Sequence, residues 1–510
     1  MDTNTTSPTN PSHSNSRLSY PTKVLLTVTS VALLINYVET MVIPGIPTIQ
    51  NHFSTSDTIA SWITSAFLIV GAAVSPLFGK LGDIYGKKKI FLTVLLFYIA
   101  GVGIAGFSTS IYMLIASRAI QGVGFAVVPL GLAIITDIFP KERVATAQGI
   151  ISGTFAIGAA AGLIIGAYIV EDLSWEWAFH TAFILSIILF FIVAVMLKKD
   201  VPGVKSKVDV TGATMLMAGI VLVLLYLTET PTLGWLSLEN IAFLIPGLIL
   251  TVSFFVFENS RTSPLIHLGL LKIRNVLVAN LVGIFSSMGM FLLFFAVIYY
   301  AQYPKPHGLG LDIISTGLTL APATLVMLIV GPIMGRLVTR IGPKPILTLG
   351  ASISIVGLLL FTFFRGTTME LTVDVGVSLI GLVSLIIPIV NMISVSLPKE
   401  NTAVGLGMNT MLRNLGGAIG PVLATTIIST YYTTVKLPMP PYALKFGDKT
   451  AFNTIFAIGI VLMFVIIALS LIIKNYTFPK KAQTTTGGNC FPQCEQKVAS
   501  GATGAPQLGQ

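Results

Sequence analysis

The sequence predicts an all-α membrane protein whose fourteen transmembrane helices form two six-helix bundles with two additional helices inserted between them. Three observations support this fold class. The chain is unusually apolar, its apolar runs are long enough to cross a bilayer, and part of its first half recurs in its second half. Of the 510 residues, 54% are hydrophobic and only 10% are charged, whereas about 25% of a soluble domain is charged.

The apolar runs have the length of membrane-spanning helices. An α-helix needs roughly 20 residues to cross a hydrocarbon core of about 30 Å, and it satisfies its own backbone hydrogen bonds in lipid. The segments lack the alternation of polar and apolar residues that is typical of a transmembrane β-barrel. The predicted spans are 23–45, 58–80, 89–109, 112–136, 144–169, 178–197, 211–229, 240–257, 275–301, 313–335, 345–364, 371–396, 404–431 and 452–474.

The basic residues predict the orientation of the chain. Loops that face the cytoplasm collect Lys and Arg. With the N-terminus inside, 23 of the 30 Lys and Arg residues fall in cytoplasmic segments, 5 fall outside and 2 lie within spans. We therefore expect a multi-pass protein of the plasma membrane with both termini in the cytoplasm. This topology also explains the net charge of +10, so a nucleic-acid partner is not expected.

An internal repeat predicts two equivalent halves. The stretch from Gly79 to Ile90 recurs from Gly335 to Ile346, 256 positions later, and duplicated halves are common in secondary transporters. The repeat leaves two helices outside both halves. The predicted organisation is a disordered cytoplasmic N-terminus (1–22), an N-terminal six-helix bundle (23–197), a linker with two additional transmembrane helices (198–274), a C-terminal six-helix bundle (275–474) and a disordered cytoplasmic tail (475–510).

The loop after the second span carries a glycine-rich basic motif. It resembles the signature G-x-L-x-D-x-x-G-[RK]-[RK] of the major facilitator superfamily. Glycine permits the backbone of a tight turn, and the acid is suited to face a cation or a helix N-terminus. The resemblance implies the major facilitator fold with a gating role for this loop. The matching residues are Gly79, Leu81, Asp83, Gly86, Lys87 and Lys88.

The fourth span contains a charged residue where lipid makes charge costly. Arg118, Gln121, Gly122 and Gly124 resemble the superfamily element R-x-x-Q-G-x-G. An arginine at the bilayer centre costs at least about 2.5–3.5 kcal/mol, so it has to face a polar interior and a partner. The resemblance implies a role in proton coupling. The alternative is a structural arginine that bonds helix carbonyls and Gln121.

The first span contains Glu39, the one carboxylate well inside the spans of the first half. The sequence resembles the fourteen-span drug:proton antiporters, which have an Asp-centred element L-D-x-T-x-V-N-x-A-L-P here. It departs from that element, because Glu replaces Asp. Alignment on Pro47 also moves the acid by one position, a rotation of about 100° around the helix. We expect Glu39 to bind a proton or a cationic substrate. The alternative is a glutamate that only stabilises the helix interface.

Two glycine-rich stretches predict close helix packing, since small residues let helix backbones approach. The first resembles the antiporter signature G-P-x-x-G-G but has Ala159 and Leu163 in place of Pro and the second Gly. The second resembles an element of the fourteen-span exporters. Generic helix packing is the alternative for both. The residues are Gly153, Gly158, Gly162 and Gly166 in the fifth span, and Arg413, Gly416, Gly417 and Gly420 in the thirteenth.

The resemblance implies a secondary transporter rather than an enzyme, exporting amphipathic or cationic drugs in exchange for protons by alternating access. Its partners would be a small-molecule substrate such as a lipophilic cation, protons and membrane lipid. No nucleotide motif or metal cluster is present in the sequence, so we expect no cofactor and no metal. Cys490 and Cys494 lie in the tail. The alternatives are a proton-coupled exporter or symporter of one metabolite, and a receptor of the same fold that does not transport.

Overall fold

The computed structural model describes residues 19–198, 209–261, 264, 266–436 and 443–475. Within these ranges, fourteen helical segments are long and apolar enough to cross a membrane, which confirms the predicted fold class. The first helix begins at Tyr20, inside the segment 1–22 that the sequence assigns to a disordered N-terminus. The predicted C-terminal tail lies outside the described residues except for Asn475, and so do Cys490 and Cys494.

The first half of the chain forms six spans. They comprise α1 (Tyr20–Met41), the short α2 (Ile46–His52), α3 (Asp57–Tyr85), α4 (Lys87–Gly106), α5 (Ile111–Gly122), a 3₁₀ turn (Val123–Ala126), α6 (Val127–Ile138), α7 (Lys141–Asp172) and α8 (Trp175–Met196). The 3₁₀ turn joins α5 to α6 within the single span predicted at 112–136. Gly124 in this turn lies against the ring of Tyr98, a close approach that the absence of a side chain allows.

The inserted helices and the second half follow. They comprise α9 (Val210–Leu233), α10 (Leu238–Asn259), the short α11 (Leu268–Leu271), α12 (Arg274–Gln302), α13 (Ile313–Ile341), α14 (Pro343–Phe363), α15 (Thr368–Ser396), α16 (Lys399–Thr430), β1 (Tyr432–Lys436), β2 (Ala443–Gly447) and α17 (Lys449–Ile472). The antiparallel pair β1–β2 was not predicted from the sequence. It lies between two spans, and the alternation of Leu444 and Phe446 around Lys445 is too short to identify a strand from the sequence.

The repeated motif produces the same turn in both halves. Gly86 follows the last residue of α3 with φ of 97°, and Gly342 follows the last residue of α13 with φ of 88°. Only glycine adopts positive φ at little cost. Each turn lets the next helix start at once, antiparallel to the one before. The sequence repeat is therefore also a repeat of backbone geometry.

The two halves meet along two seams, α3 against α16 and α7 against α13. We call the side of the molecule where α1 begins and α17 ends the terminal face, and the other side the opposite face. On the opposite face, side chains connect the halves. Tyr299 donates to Gln50 (2.9 Å), Gln302 donates to the carbonyl of Pro44 (2.7 Å), and the amide of Ile313 donates to Glu171 (2.7 Å).

The seams separate towards the terminal face. Each of the four seam helices has a glycine in its terminal half at which a Cβ would meet no atom within 4 Å: Gly79, Gly153, Gly331 and Gly407. Gly317 lies in the half of α13 nearer the opposite face, and a Cβ there would lie 2.6 Å from the carbonyl oxygen of Leu163 in α7. The molecule is therefore closed on the opposite face and open between the halves on the terminal face.

Candidate functional site

Arg118 is fully buried in α5 and joins three helices of the first half. Its Nε donates to the carbonyl of Ile63 in α3 (3.0 Å), and its Nη1 donates to the carbonyl of Val38 in α1 (3.4 Å). Its guanidinium carbon lies 4.3 Å from the ring centre of Phe67, a cation–π contact. The Nη2 atom is buried and has no hydrogen-bond partner among the described residues. These are the contacts of a structural arginine that retains one unsatisfied donor.

Gln121 extends this arrangement to a fourth helix. Its Oε1 accepts from Arg118 Nη1 (2.8 Å), and its Nε2 donates to the carbonyl of Gly101 in α4 (3.1 Å). A Cβ at Gly101 would lie 2.8 Å from the Gln121 backbone nitrogen. The glutamine therefore orients the guanidinium, and the absence of a side chain at Gly101 makes room for it. The sequence prediction placed Arg118 and Gln121 together, one turn apart on one helix.

Glu39 lies near the end of α1 towards the closed face and is 2% exposed. Its Oε2 is buried without a partner, and no described residue forms a hydrogen bond or an ion pair with the carboxyl group. The charge of Arg118 acts on it, as does that of Arg413 from the other half. A buried carboxylate without a hydrogen-bonded partner is costly, so this group requires a proton or a cation to compensate it.

Arg413 lies in α16, and the structure brings it to the same region. Its guanidinium carbon is 6.0 Å from the ring centre of Phe155 in α7, so this contact crosses between the halves. The sequence predicted Arg413 only as part of a glycine-rich packing element. The cross-bundle contact was missed, although an arginine inside a predicted span was itself a signal of a polar interior.

The predicted glycine stripe of the fifth span packs against α1 along most of its length. At the Cβ positions of Gly158, Gly162 and Gly166, backbone atoms of α1 lie within 3.0 Å. Gly153 differs, since it faces the open terminal side. Hydrogen bonds reinforce this packing, because Thr40 donates to the carbonyl of Ala159 (3.2 Å). The stripe therefore holds α1, and with it Glu39, at a fixed distance from α7.

The glycines of the thirteenth span have the same role in the second half. Gly416 packs against the carbonyl of Ile284 in α12. Gly420 packs against the carbonyl of Met288 in the same helix, whose oxygen would lie 2.7 Å from a Cβ at Gly420. Gly417 faces the side chain of Ser287 and the ring of Phe291. The predicted packing residues therefore fix α12 to α16 as the first stripe fixes α1 to α7.

The predicted gating loop lies at the terminal face. Gly86 makes the turn, and Gly79 has open space beside it. Lys87 forms an ion pair with Asp137 of α6. Asp83 is exposed and has no hydrogen bond with a described residue, although the charge of Lys87 acts on it. The loop is therefore tied to its own half in this conformation, and its gating role stays a prediction.

Asp374 is a buried acid that the sequence reasoning overlooked. It lies in α15, is 2% exposed, and its Oδ2 has no hydrogen-bond partner within the part of the chain that the structure describes. The signal was present, because Asp374 is a carboxylate inside the predicted span 371–396. No described cation is close enough to pair with it, and Glu370, one turn away, is the charge that acts on it. The second half therefore carries its own isolated acid.

Comparison with known proteins agrees with this architecture. The chain is 27% identical to the Multidrug transporter protein MdtP of Bacillus subtilis over 376 residues, 73% of this chain and 69% of that protein. It is 25% identical to the Multidrug export protein EmrB of Escherichia coli over 393 residues, 75% of each chain.

Solved structures show the same fold. A peptide transporter of the POT family in an auto-inhibited state matches with a TM-score of 0.60 and 15% identity, covering 91% of this chain and 99% of that one. The human organic anion transporter MFSD10 matches with a TM-score of 0.54 and 16% identity, covering 88% of this chain and 100% of that one.

The sequence model of the family named Major Facilitator Superfamily matches residues 28–421 of this chain. This chain is therefore a multi-pass membrane transporter that belongs to the Major Facilitator Superfamily.

Proposed function

We propose that the protein is a proton-coupled antiporter of the plasma membrane that exports amphipathic compounds, cationic drugs among them, by alternating access. The observation that carries this proposal is the carboxyl of Glu39, which is buried, has no hydrogen-bond partner among described residues, and is acted on by the charges of Arg118 and of Arg413 from the other half. The names of the relatives, which are multidrug transporters, support the substrate class.

The coupling follows from competition for one carboxylate. In a low-dielectric site, an ionised acid requires compensation by a proton or by another cation. A protonated Glu39 has no charge to attract a cationic substrate, and a bound cation disfavours protonation. The two ligands therefore exclude each other at this group. Exclusive binding of substrate and proton is the thermodynamic condition for antiport.

The geometry of the bundles supports the transport step. The halves are separated at the terminal face, which we place in the cytoplasm because Lys and Arg cluster there. Rocking of the halves about the central site would close this face and open the other. An inward pH gradient supplies about 1.4 kcal/mol per unit, and a membrane potential of 100 mV supplies about 2.3 kcal/mol per charge moved.

Arg118 and the gating loop have supporting roles in this proposal. Arg118 acts on Glu39 through its charge and holds α1, α3 and α5 together through its hydrogen bonds. Asp83, Gly79, Gly86 and Lys87 lie where the halves must meet when the terminal face closes. Asp83 is free of hydrogen bonds to described residues in the present conformation, so it is available to contact the second half after closure.

Proteoliposomes with an internal pH indicator test the proposal. Addition of a lipophilic cation such as tetraphenylphosphonium should move protons in the direction opposite to the cation, and empty liposomes provide the baseline. Binding of the cation without proton movement would point to a receptor. If cations caused no proton movement and a metabolite were taken up together with protons, the proposed substrate class would be wrong, while the assignment of the fold would stand.

A further inference from the structure

The inserted helix α9 touches both halves of the molecule through two consecutive residues. Thr228 accepts a hydrogen bond at its Oγ1 from Trp62 Nε1 of α3 (2.8 Å), and the carbonyl of Leu227 accepts one from Thr426 Oγ1 of α16 (2.8 Å). Trp62, Thr228 and Thr426 are all buried. One peptide of α9 therefore connects the first half to the second.

These contacts lie where the α3–α16 seam is closed. Along α3, Trp62 lies between Asp57, which accepts from Ser429 (3.2 Å), and Ser65, which donates to the carbonyl of Ala418 (2.7 Å). Thr426 likewise lies between Ala418 and Ser429. α9 therefore lies across the seam at the level of its direct inter-bundle hydrogen bonds.

At the terminal face, the acidic residues of the insertion lie within electrostatic reach of the first half. The charges of Asp209, which precedes α9, and Glu258, at the end of α10, act on Lys80 of α3. Both carboxylates flank Gly212, since a Cβ there would lie 2.7 Å from Asp209 Oδ2 and 3.0 Å from Glu258 Oε2. Among described residues, the hydrogen bonds between α9 and α16 involve Thr426 alone. α9 packs on both α3 and α16. The first half therefore reaches the insertion at two levels, through Trp62 and through the charge of Lys80, whereas the hydrogen bond from α16 is at one level.

The insertion is built as a rigid hairpin. Gly219 of α9 and Gly247 of α10 approach so closely that a Cβ at either would lie about 3 Å from the other helix's backbone. At the turn, Asn240 donates to Thr230 (2.9 Å) and to the carbonyl of Gly234 (3.1 Å). Such packing and buried hydrogen bonds make α9 and α10 one body.

We propose that the α9–α10 hairpin moves with the first half during transport and latches α16, so that the Thr426–Leu227 contact holds the opposite face closed and breaks when that face opens. The inference goes beyond the proposed substrate and coupling, because it concerns only which parts move together. The α7–α13 seam is closed differently, by Gly317 against Leu163 and by Glu171 at the start of α13.

Distances between spin labels on the opposite face test which half the hairpin follows. With Cys490 and Cys494 replaced by Ser, labels are attached in pairs at Leu236 in the α9–α10 turn, Tyr112 of α5 and Met369 of α15, which are 87%, 69% and 72% exposed. The 112–369 pair identifies a pH and ligand condition that opens this face. There, the 236–369 distance should change and the 236–112 distance should not. A change in the 236–112 distance would overturn the proposal.

Two adjacent threonines provide a matched test of the latch. Thr426→Val removes a hydroxyl that bonds to the carbonyl of Leu227 (2.8 Å) and, within α16, to that of Val422 (2.7 Å). Thr425→Val removes a hydroxyl whose hydrogen bonds to described residues all lie within α16, to Pro421 and Val422. Both side chains are fully buried. Thr426→Val should raise the population open on the opposite face about fivefold, and Thr425→Val should not. Equal effects of the two substitutions would reject the latch while leaving antiport untouched.

Discussion

The two halves of the molecule share a backbone plan and differ in where they carry charge. The carbonyl of Leu33 in α1 contacts Gly158 of α7, and the carbonyl of Ile284 in α12 contacts Gly416 of α16. Leu33 and Ile284 therefore occupy equivalent positions in the two halves. Six residues further along, the first half has Glu39 and the second has Met290.

A second pair of equivalent positions, in α5 and α15, also differs in charge between the halves. Gln121 packs on Gly101 as Ser378 packs on Gly357, and three residues earlier lie Arg118 in the first half and Val375 in the second. Both Met290 and Val375 are buried and apolar. The repeat therefore preserves helix packing, whereas the positions of Glu39 and Arg118 are ionisable in the first half alone.

The largest effect that would test this comparison concerns stability. Arg118→Leu removes three hydrogen bonds and leaves Glu39 without its strongest compensating charge. Removal of one partner of a buried charged arrangement costs about 3–5 kcal/mol. We expect a large drop in the thermal unfolding temperature in detergent. Asp374→Asn in the second half, which breaks no hydrogen bond, should cost no more than about 1 kcal/mol. Similar drops for both would contradict the asymmetry.

The glycine stripes should behave alike in both halves. Gly162→Val and Gly420→Val force a side chain into the backbone of α1 or α12, and overpacking of this kind costs about 1–3 kcal/mol. Gly153→Val and Gly407→Val, which meet no atom within 4 Å, are the matched controls. Yields of folded protein and unfolding temperatures provide the measurement. A disruptive effect in one stripe only would show that the halves are not packed equivalently.

The helix starts at the opposite face predict a local difference in acid sensitivity. Ser56 caps α3 with a neutral hydroxyl, whereas Asp312 caps α13. Hydrogen bonds from the hydroxyl and amide of Ser315 lower the pKa of Asp312 below its usual range. Because the folded pKa is depressed, this cap stabilises at pH values above the unfolded pKa and is lost as pH falls through the folded pKa.

Amide hydrogen exchange measures this difference. Protection of the Ser315 amide from exchange should fall below a pH of about 4. The Ile59 amide donates its hydrogen bond to the hydroxyl of Ser56, so its protection should not change in this range. Asp312→Ser should remove the pH dependence at Ser315. Loss of protection at both amides together would indicate general acid unfolding rather than loss of one cap.

The smallest effect concerns the signature loop. Lys87 pairs with Asp137 in the first half, whereas the second half has Pro343 at the matching position of the repeat. Asp137 is 54% exposed, and exposed ion pairs contribute about 0–1 kcal/mol. Asp137→Asn should therefore shift the unfolding temperature slightly, and only at low salt. A large shift that persists in high salt would show that the loop is more than a surface contact.

The sequence predicted the features that depend on local composition. Run length gave the fourteen spans, and the glycines of α7 and α16 gave two packing stripes that the structure contains at Gly158, Gly162 and Gly416. Arg118 and Gln121 meet because they are one turn apart on one helix. Such contacts follow from periodicity, which the chain itself displays.

Features that depend on how helices meet were not predictable in this way. The contact of Arg413 with Phe155 joins helices of different halves. The position of α9 across the α3–α16 seam rests on hydrogen bonds between residues far apart in sequence. The β1–β2 pair has only the short alternation of Leu444 and Phe446 in β2 to indicate it. In each case, tertiary packing selects among arrangements that the local sequence allows equally.

In the proposed mechanism, proton and substrate compete for the carboxyl group of Glu39. The most direct test is the pH dependence of the Kd of tetraphenylphosphonium for the purified protein, with Asp374→Asn as the control for a buried acid elsewhere. For the wild type and for Asp374→Asn, the Kd should rise by up to about tenfold for each unit of acidification once the competing group is protonated. For Glu39→Gln, the Kd should be weak and independent of pH. If Glu39→Gln kept the pH dependence of the wild type, the competing proton would be bound elsewhere and the account would be contradicted.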